Sequence, residues 1–317
     1  MLRVYDLQAK LVRIDTTTAS SYAEVNEQGL LQLGHSKDHH PDLPQLKVVL
    51  ASLDPLGMPL ATEVLSGEHA DDPVYLPIIA RVRDGLQQNG LLYVGDCKLA
   101  AMQTRASIQT QGDFYLCPLS AVQIPPEQLA GAVEEQRHRG ACLVQVVRTD
   151  EYGESLYIAQ GYETVQLLTA LVDGHQETWE ERRLLVQSMA ATHAAEASLQ
   201  ERLHKAQQAL QELTARRQGK ARLMERTAVE EAIKEILTRF HVEGLLRVQI
   251  QEHTQERPVR AYRGRLLTLR REVTFTVSSQ REEEAITQAM SKLGWRAYAT
   301  NHSAPTHAGA GGRSLPR

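Results

Sequence analysis

Apolar and polar positions along this chain fall into three successive rhythms, and each rhythm predicts a different kind of element. Leu11-Val12-Arg13-Ile14-Asp15 alternates as a short strand that closes on an acid. Leu46 to Leu53 is a second apolar run, and Asp54-Pro55-Leu56-Gly57 supplies turn chemistry before a third run from Met58 to Leu65. The two runs are expected to form a hairpin. In "GEHADDPVYLPIIARVRDGLQQNG", Asp71 or Asp72 offers an N-cap and Pro73 a first helical position. Tyr75, Ile79, Val82 and Leu86 then mark one face of a helix, with Gly90 as its expected stop. "LLYVG" reads as a buried strand ending at Asp96, Lys98 to Gln111 as a helix, and "DFYLCPLS" as a strand stopped by Pro118.

The second rhythm starts at Trp179. Leu199, Leu203, Ala206, Leu210 and Leu213 recur as a heptad seam, and Val229, Ile233, Ile236 and Phe240 repeat it beyond Gly219. Two helices folded back on each other fit that pattern, as does a contact between copies of the chain. The third rhythm has period two. "LLRVQIQEHTQ" and "EVTFTVSS" predict a small sheet, followed by a helix over 281–293 and a last strand, "WRAYAT". The tail "HSAPTHAGAGGRSLPR" has no periodicity and is expected to be disordered. The order of the elements predicts an α/β fold with a mixed sheet flanked by helices, followed by a long helical hairpin and a small β insertion. The expected divisions are 1–125, a connecting segment 126–176, a helical arm 177–243, a β/α segment 244–301 and a tail 302–317.

Composition changes this picture little. The 317 residues are 42 % hydrophobic and only 5 % aromatic, so the core must rest on Leu, Val, Ile and Ala. No apolar run has the length of a membrane helix and no signal peptide follows Met1, so a cytoplasmic protein is expected. Cys97, Cys117 and Cys142 are far apart and odd in number, which predicts reduced thiols rather than a disulfide framework or a zinc site. A net charge of −4 means that any surface for nucleic acid must be local.

The candidate chemistry lies at two strand ends. Asp15 and Asp96 each close an apolar strand, and in an open α/β sheet ligands gather beyond the carboxyl ends of strands. Two neighbouring acids repel unless a cation lies between them, and Mg²⁺ with its oxygen ligands is the natural partner. A single Asp in such a place also serves as a turn or cap residue. The pair, separated by a strand–hairpin–helix–strand layout, makes the metal reading the stronger one.

The stretches "VRIDTTTAS", "GLLQLGHSKDHHPDLPQLKVVLASLDPLGMPLATEVLSGEHADDP" and "LLYVGDCKLAAMQTRASIQTQGDFYLCPLS" resemble the DDE transposases of bacterial insertion sequences. The resemblance covers about Tyr5 to Pro125 closely, and more loosely extends to about Asn301. It implies a ribonuclease H-like sheet whose two Asp and one Glu bind two Mg²⁺ or Mn²⁺ ions. Asp15 would be the first aspartate and Asp96 the second, with Thr16 to Thr18 holding the acid in place. The implied reaction is two-metal cleavage of DNA strands and strand transfer, on double-stranded DNA at element ends and target, in a bacterial cell on the nucleoid. A homodimer is an expected assembly.

His35, Lys37, His39 and His40 in "GHSKDHHPD", and Lys98 just past Asp96, are candidate phosphate contacts, or else ordinary polar loop residues. "ERPVRAYRGRLLTLRR" carries Arg257, Arg260, Arg263, Arg265, Arg270 and Arg271, either a backbone-binding patch or a charged strand edge. Two departures from the family matter. The third acid, on a late Tyr…Arg…Glu…Lys helix, has no counterpart after Asn301, and the family's N-terminal DNA-binding region does not precede the first strand. The expectation is a copy truncated at both ends, with a tail translated out of the ancestral frame. Such a chain would be a weakened transposase, an inactive remnant that binds DNA or a full-length transposase, or, more distantly, a metal-dependent nuclease.

Overall fold

A computed structural model describes residues 9–25, 29–34, 40–70, 72–150, 152–215, 225–259 and 268–303. In chain order its elements are β1 (Leu11–Ser20), β2 (Gln45–Asp54), β3 (Met58–Ser66), α1 (Tyr75–Leu86), β4 (Leu92–Val94), α2 (Met102–Thr110), β5 (Phe114–Pro118) and α3 (Pro126–His138). There follow β6 (Val144–Thr149), β7 (Ser155–Val172), β8 (His175–Ser188), α4 (Met189–Leu213), α5 (Arg226–Phe240), β9 (Leu246–Val259), β10 (Thr268–Arg281), α6 (Glu283–Ser291) and β11 (Trp295–Thr300). The chain divides into two compact units. The first runs to Ser188 and resumes at Trp295, and the second is Met189–Gly294.

A nine-stranded mixed sheet in the order β3-β2-β1-β4-β5-β11-β8-β7-β6 builds the first unit. β1, β4 and β5 run parallel, and the other neighbours pair antiparallel. Alternation along β1 sends Val12, Ile14 and Thr16 inward and leaves Arg13, Asp15 and Thr17 exposed. Val12 and Ile14 join Val49, Ala51 and Leu53 of β2 and Tyr93 of β4 in one core, capped by Tyr75, Ile78, Ile79 and Val82 of α1. Burying four such side chains on α1 contributes roughly 1.5–3 kcal/mol each. The helix starts after a single 3₁₀ turn at Asp72–Val74 and ends before the expected stop at Gly90. Gln87 takes the left-handed conformation at φ 52° and its N–H bonds Arg83, so the cap forms three residues early without glycine.

The region expected as a connecting segment, 126–176, is α3, β6 and β7, and the start of the expected helical arm, 177–188, is β8. Two features explain the difference. Asp173 and Gly174 both take positive φ, 49° and 80°, the conformation of a tight hairpin turn. Trp179, Glu181, Leu185 and Gln187 are buried at alternate positions, a period of two that the flanking Glu and Arg residues disguise as helical. Past β11, Asn301 is tied into the sheet. Its Oδ1 accepts the Tyr115 N–H, and its Nδ2 donates to Gln109 Oε1 and the Asp113 carbonyl. His302 packs edge-on against Phe114, so the expected disorder does not begin at residue 302. Residues 304–317 lie outside the described residues.

In the second unit the heptad seam is consumed internally. Leu199, Leu203, Ala206 and Leu210 of α4 are buried with Val229 and Ile233 of α5, Phe275 and Val277 of β10, and Ile286 of α6. Arg202 donates to the carbonyls of Phe240 and His241 and fastens the end of α5 to the middle of α4. The seam is therefore an intrachain hairpin contact. β9 and β10 form the expected small sheet, as an antiparallel pair. No helix among the described residues is long and apolar enough to cross a membrane.

Candidate functional site

Register brings the two candidate acids together. β1 and β4 are parallel neighbours with Leu11 opposite Leu92, Val12 opposite Tyr93 and Arg13 opposite Val94. The pairing stops at Arg13 and Val94; the same offset carried two residues further would set Asp15 level with Asp96, and the charges of both acids reach the Tyr75 hydroxyl. Here the sheet changes from antiparallel pairing, β1 with β2, to parallel pairing, β1 with β4. Asp15 does not close the strand as expected: β1 runs on through Thr16, Thr17 and Thr18 to Ser20, paired with β2 throughout, so the acid sits in the middle of β1 beside the end of β4.

Each carboxylate is held. Asp15 Oδ1 accepts the N–H of Thr16 at 2.8 Å. The contact is made by the threonine backbone. Asp96 Oδ1 accepts the Lys98 N–H at 2.8 Å, a side-chain turn of the kind Asp favours, and the Tyr75 hydroxyl at 2.6 Å. Tyr75 is fully buried on the first turn of α1. A Cβ on Gly95 would lie 3.1 Å from the Leu99 side chain and 3.2 Å from the Tyr75 ring, so glycine eases the close packing of both against the strand end. Burial pushes the Tyr75 phenol far above its ordinary range, helped by the hydrogen bond and charge of Asp96 and by the charge of Asp15. Both acids thus act on one hydroxyl, which is a neutral donor at neutral pH.

Tyr75→Phe keeps the ring and removes only this donor. The expected loss is about 1 kcal/mol, because half-buried Asp96 retains water and the Lys98 N–H. Urea unfolding followed by tryptophan fluorescence measures it, since both tryptophans, Trp179 and Trp295, belong to the first unit.

The remaining candidates divide by location. Lys98 is an exposed residue of the turn after Asp96, and α2 begins only at Met102. His35, Lys37, His39, Arg260, Arg263 and Arg265 lie outside the described residues. Arg257 is on β9 of the second unit, whereas Asp15 and Asp96 belong to the first. Among the described residues no three His, Cys, Asp or Glu side chains gather as a metal site. Cys97, Cys117 and Cys142 are free. Burial pushes the Cys117 thiol up to about 12, against the pull of Arg105, which makes it an inert core residue.

A second polar centre was not anticipated from the sequence. Glu181 of β8 is fully buried, pairs with Arg105 of α2, and accepts hydrogen bonds from the Tyr115 hydroxyl at 2.6 Å and Gln166 at 3.1 Å. Trp179 Nε1 donates to the same Tyr115 oxygen at 3.0 Å. Burial, then the charge of Glu181, raises the Tyr115 phenol well above its usual range. Every oxygen of Glu181 is engaged, so the cluster fastens α2 to β5 and β8 and offers no open position for a ligand.

No protein-family model matches the chain, and no curated protein matches it. Among solved structures, it is similar to the piggyBac transposase in a synaptic complex with hairpin DNA, at a TM-score of 0.28 and 9 % identity. That match covers 49 % of this chain and 36 % of the other. It is also similar to Ciona intestinalis endonuclease V in complex with a 24mer DNA containing an inosine followed by a ribo-adenosine, at a TM-score of 0.21 and 10 % identity. There the match covers 48 % of this chain and 64 % of the other. The chain thus spans less than two thirds of either structure.

Proposed function

We propose that the first unit is a ribonuclease H-like core of the DDE transposase kind, which acts on DNA phosphodiesters through divalent cations held by Asp15 and Asp96. The observation that carries this reading is the parallel pairing of β1 with β4, whose offset, carried on by two residues, would bring Asp15 beside Asp96, with the charges of both acting on the Tyr75 hydroxyl. The order β3-β2-β1-β4-β5, with the first three strands antiparallel and the next two parallel to β1, supports the same fold family.

The donor set fits a hard cation. Both groups are carboxylates, and with Asp96 Oδ1 engaged by Tyr75 and Lys98, its Oδ2 is the oxygen left for a ligand. Mg²⁺ or Mn²⁺ bound there would stabilise charge on a phosphoryl oxygen. Asp15 and Asp96 would orient the ion, Tyr75 would keep Asp96 in one rotamer, and Lys98 would meet the phosphate. Lys37, His35 and the arginines from Arg257 to Arg265 complete the proposed DNA contacts. Double-stranded DNA is the proposed partner.

A second reading, DNA binding with little or no cleavage, is favoured by the absence of a third ligand to this pair among the described residues. One experiment separates the two. The chain is incubated with supercoiled and linear duplex DNA in Mn²⁺, Mg²⁺ or EDTA, while Mn²⁺ binding is followed by electron paramagnetic resonance. Metal-dependent nicking supports the first reading. Mn²⁺ and DNA binding without nicking supports the second. Absence of stoichiometric Mn²⁺ binding overturns the metal site itself.

A further inference from the structure

The nine-stranded sheet stops partway along one of its own strands. β6 pairs with β7 only from Ser155 to Gly161, so residues 162–172 of β7 have β8 on one side and, among the described residues, no strand on the other. One face of this stretch exposes Val165, Leu167 and Leu171, at 58 %, 69 % and 71 %. Their partners across the ladder on β8 are polar: Arg182, Glu180 and Gln176. The apolar stripe therefore follows the strand whose edge is open.

Free sheet edges are normally guarded by charge, proline or a bulge, because an unguarded edge recruits another strand. The other edges of this sheet carry such guards. β3 has Pro59 and an irregular register against β2 at Ala51/Ser52, and β6 has Arg148 and a register shift at Val146/Val147. Residues 162–172, "YETVQLLTALV", have no proline and a single charge, Glu163. Arg182 neutralises that charge through two hydrogen bonds of 2.6 and 2.7 Å. The pairing within this stretch is regular to the turn at Asp173.

We infer that residues 162–172 pair with the same segment of a second copy of the chain, antiparallel about a twofold axis, so that the sheet runs on across a homodimer. A strand suited to this edge is extended, neutral and apolar at alternate positions, and the segment itself has those properties. With the axis through Leu168, Val165 of each copy lies beside Leu171 of the other and Leu167 beside Thr169. Both exposed stripes merge, and Glu163, which falls opposite Asp173 of the other copy, keeps Arg182 as its counter-charge. The contact is isologous, so the pairing closes at two copies.

Sedimentation equilibrium of the full chain tests this, with wild type, Leu167→Lys and Gln176→Lys compared. Wild type is expected to dimerise. Leu167→Lys acts twice across the axis and should weaken the dimer at least about tenfold, while Gln176→Lys, on the polar strand, leaves it unchanged. Circular dichroism checks the fold. If Leu167→Lys does not fold, Thr169→Lys on the same exposed face carries the same test. A wild-type chain that stays monomeric overturns the proposal and leaves the edge to a strand from another protein. A dimer indifferent to both lysines overturns it as well, since the contact then lies elsewhere. Neither outcome depends on metal or DNA.

Discussion

Glu181→Leu is expected to lower the stability of the first unit by about 3–5 kcal/mol, because it strands a buried guanidinium. Arg105 and Glu181 are both buried, and they are partners in one ion pair. Without the carboxylate, Arg105 has no counter-charge and the Tyr115 hydroxyl loses its acceptor. Gln166 loses its acceptor too, and Arg183, whose Nε lies 3.5 Å from Glu181, loses a counter-charge. The double variant Arg105→Met/Glu181→Leu removes both charges, and replacing a buried pair by apolar groups is often neutral or stabilising. It should recover most of the loss, but not all, since Tyr115 and Gln166 still lack a partner. The urea midpoint by tryptophan fluorescence is the measurement, and Trp179 reports from inside the network. If the double variant is no more stable than the single one, the pair is stabilising in itself, and the desolvation argument is wrong.

The two halves of the molecule differ in how far sequence alone predicts them, for physical reasons. The strands from β1 to β5 and helix α1 alternate or repeat cleanly because each buries one face against a local partner, but the end of β1 was not legible, since the threonines after Asp15 are β-branched and carry the strand on to Ser20. The heptad seam was equally legible, but its use was not. Periodicity marks a buried face without naming what covers it, and here α5, β10 and α6 of the same unit cover it. The β7–β8 hairpin was missed although Asp173-Gly174 signals a tight turn. Glu180, Glu181, Arg182 and Arg183 look like a solvated helix face until Arg105, distant in sequence, buries one of the acids. The helical spacing of Tyr75 marks it as an inward residue of α1. Its hydroxyl bond to Asp96 depends on how closely the helix approaches the strand end at Gly95, a distance that no window of sequence contains.

Asp15→Asn and Asp96→Asn should abolish metal binding between β1 and the end of β4 while leaving the metal-free fold intact. Both substitutions keep the size of the side chain and an oxygen that can accept the Thr16 or the Lys98 and Tyr75 donors. They remove one of two neighbouring like charges, which relieves repulsion. The metal-free urea midpoint is therefore expected to stay within about 1 kcal/mol of wild type, or to rise, because Asp15 is exposed and Asp96 half-buried. Addition of Mn²⁺ at about a hundred times its dissociation constant should stabilise wild type by about 2.7 kcal/mol, and either variant by almost nothing. Any metal-dependent nicking of DNA should fall by about 10²-fold or more in both. The opposite signs set this apart from a purely structural role. An aspartate that serves only to close a turn loses stability when changed and has no effect on metal, whereas a ligand pair gains or keeps stability and loses the metal. Equal Mn²⁺ stabilisation of wild type and both variants would place the cation, and with it the proposed chemistry, away from β1 and β4.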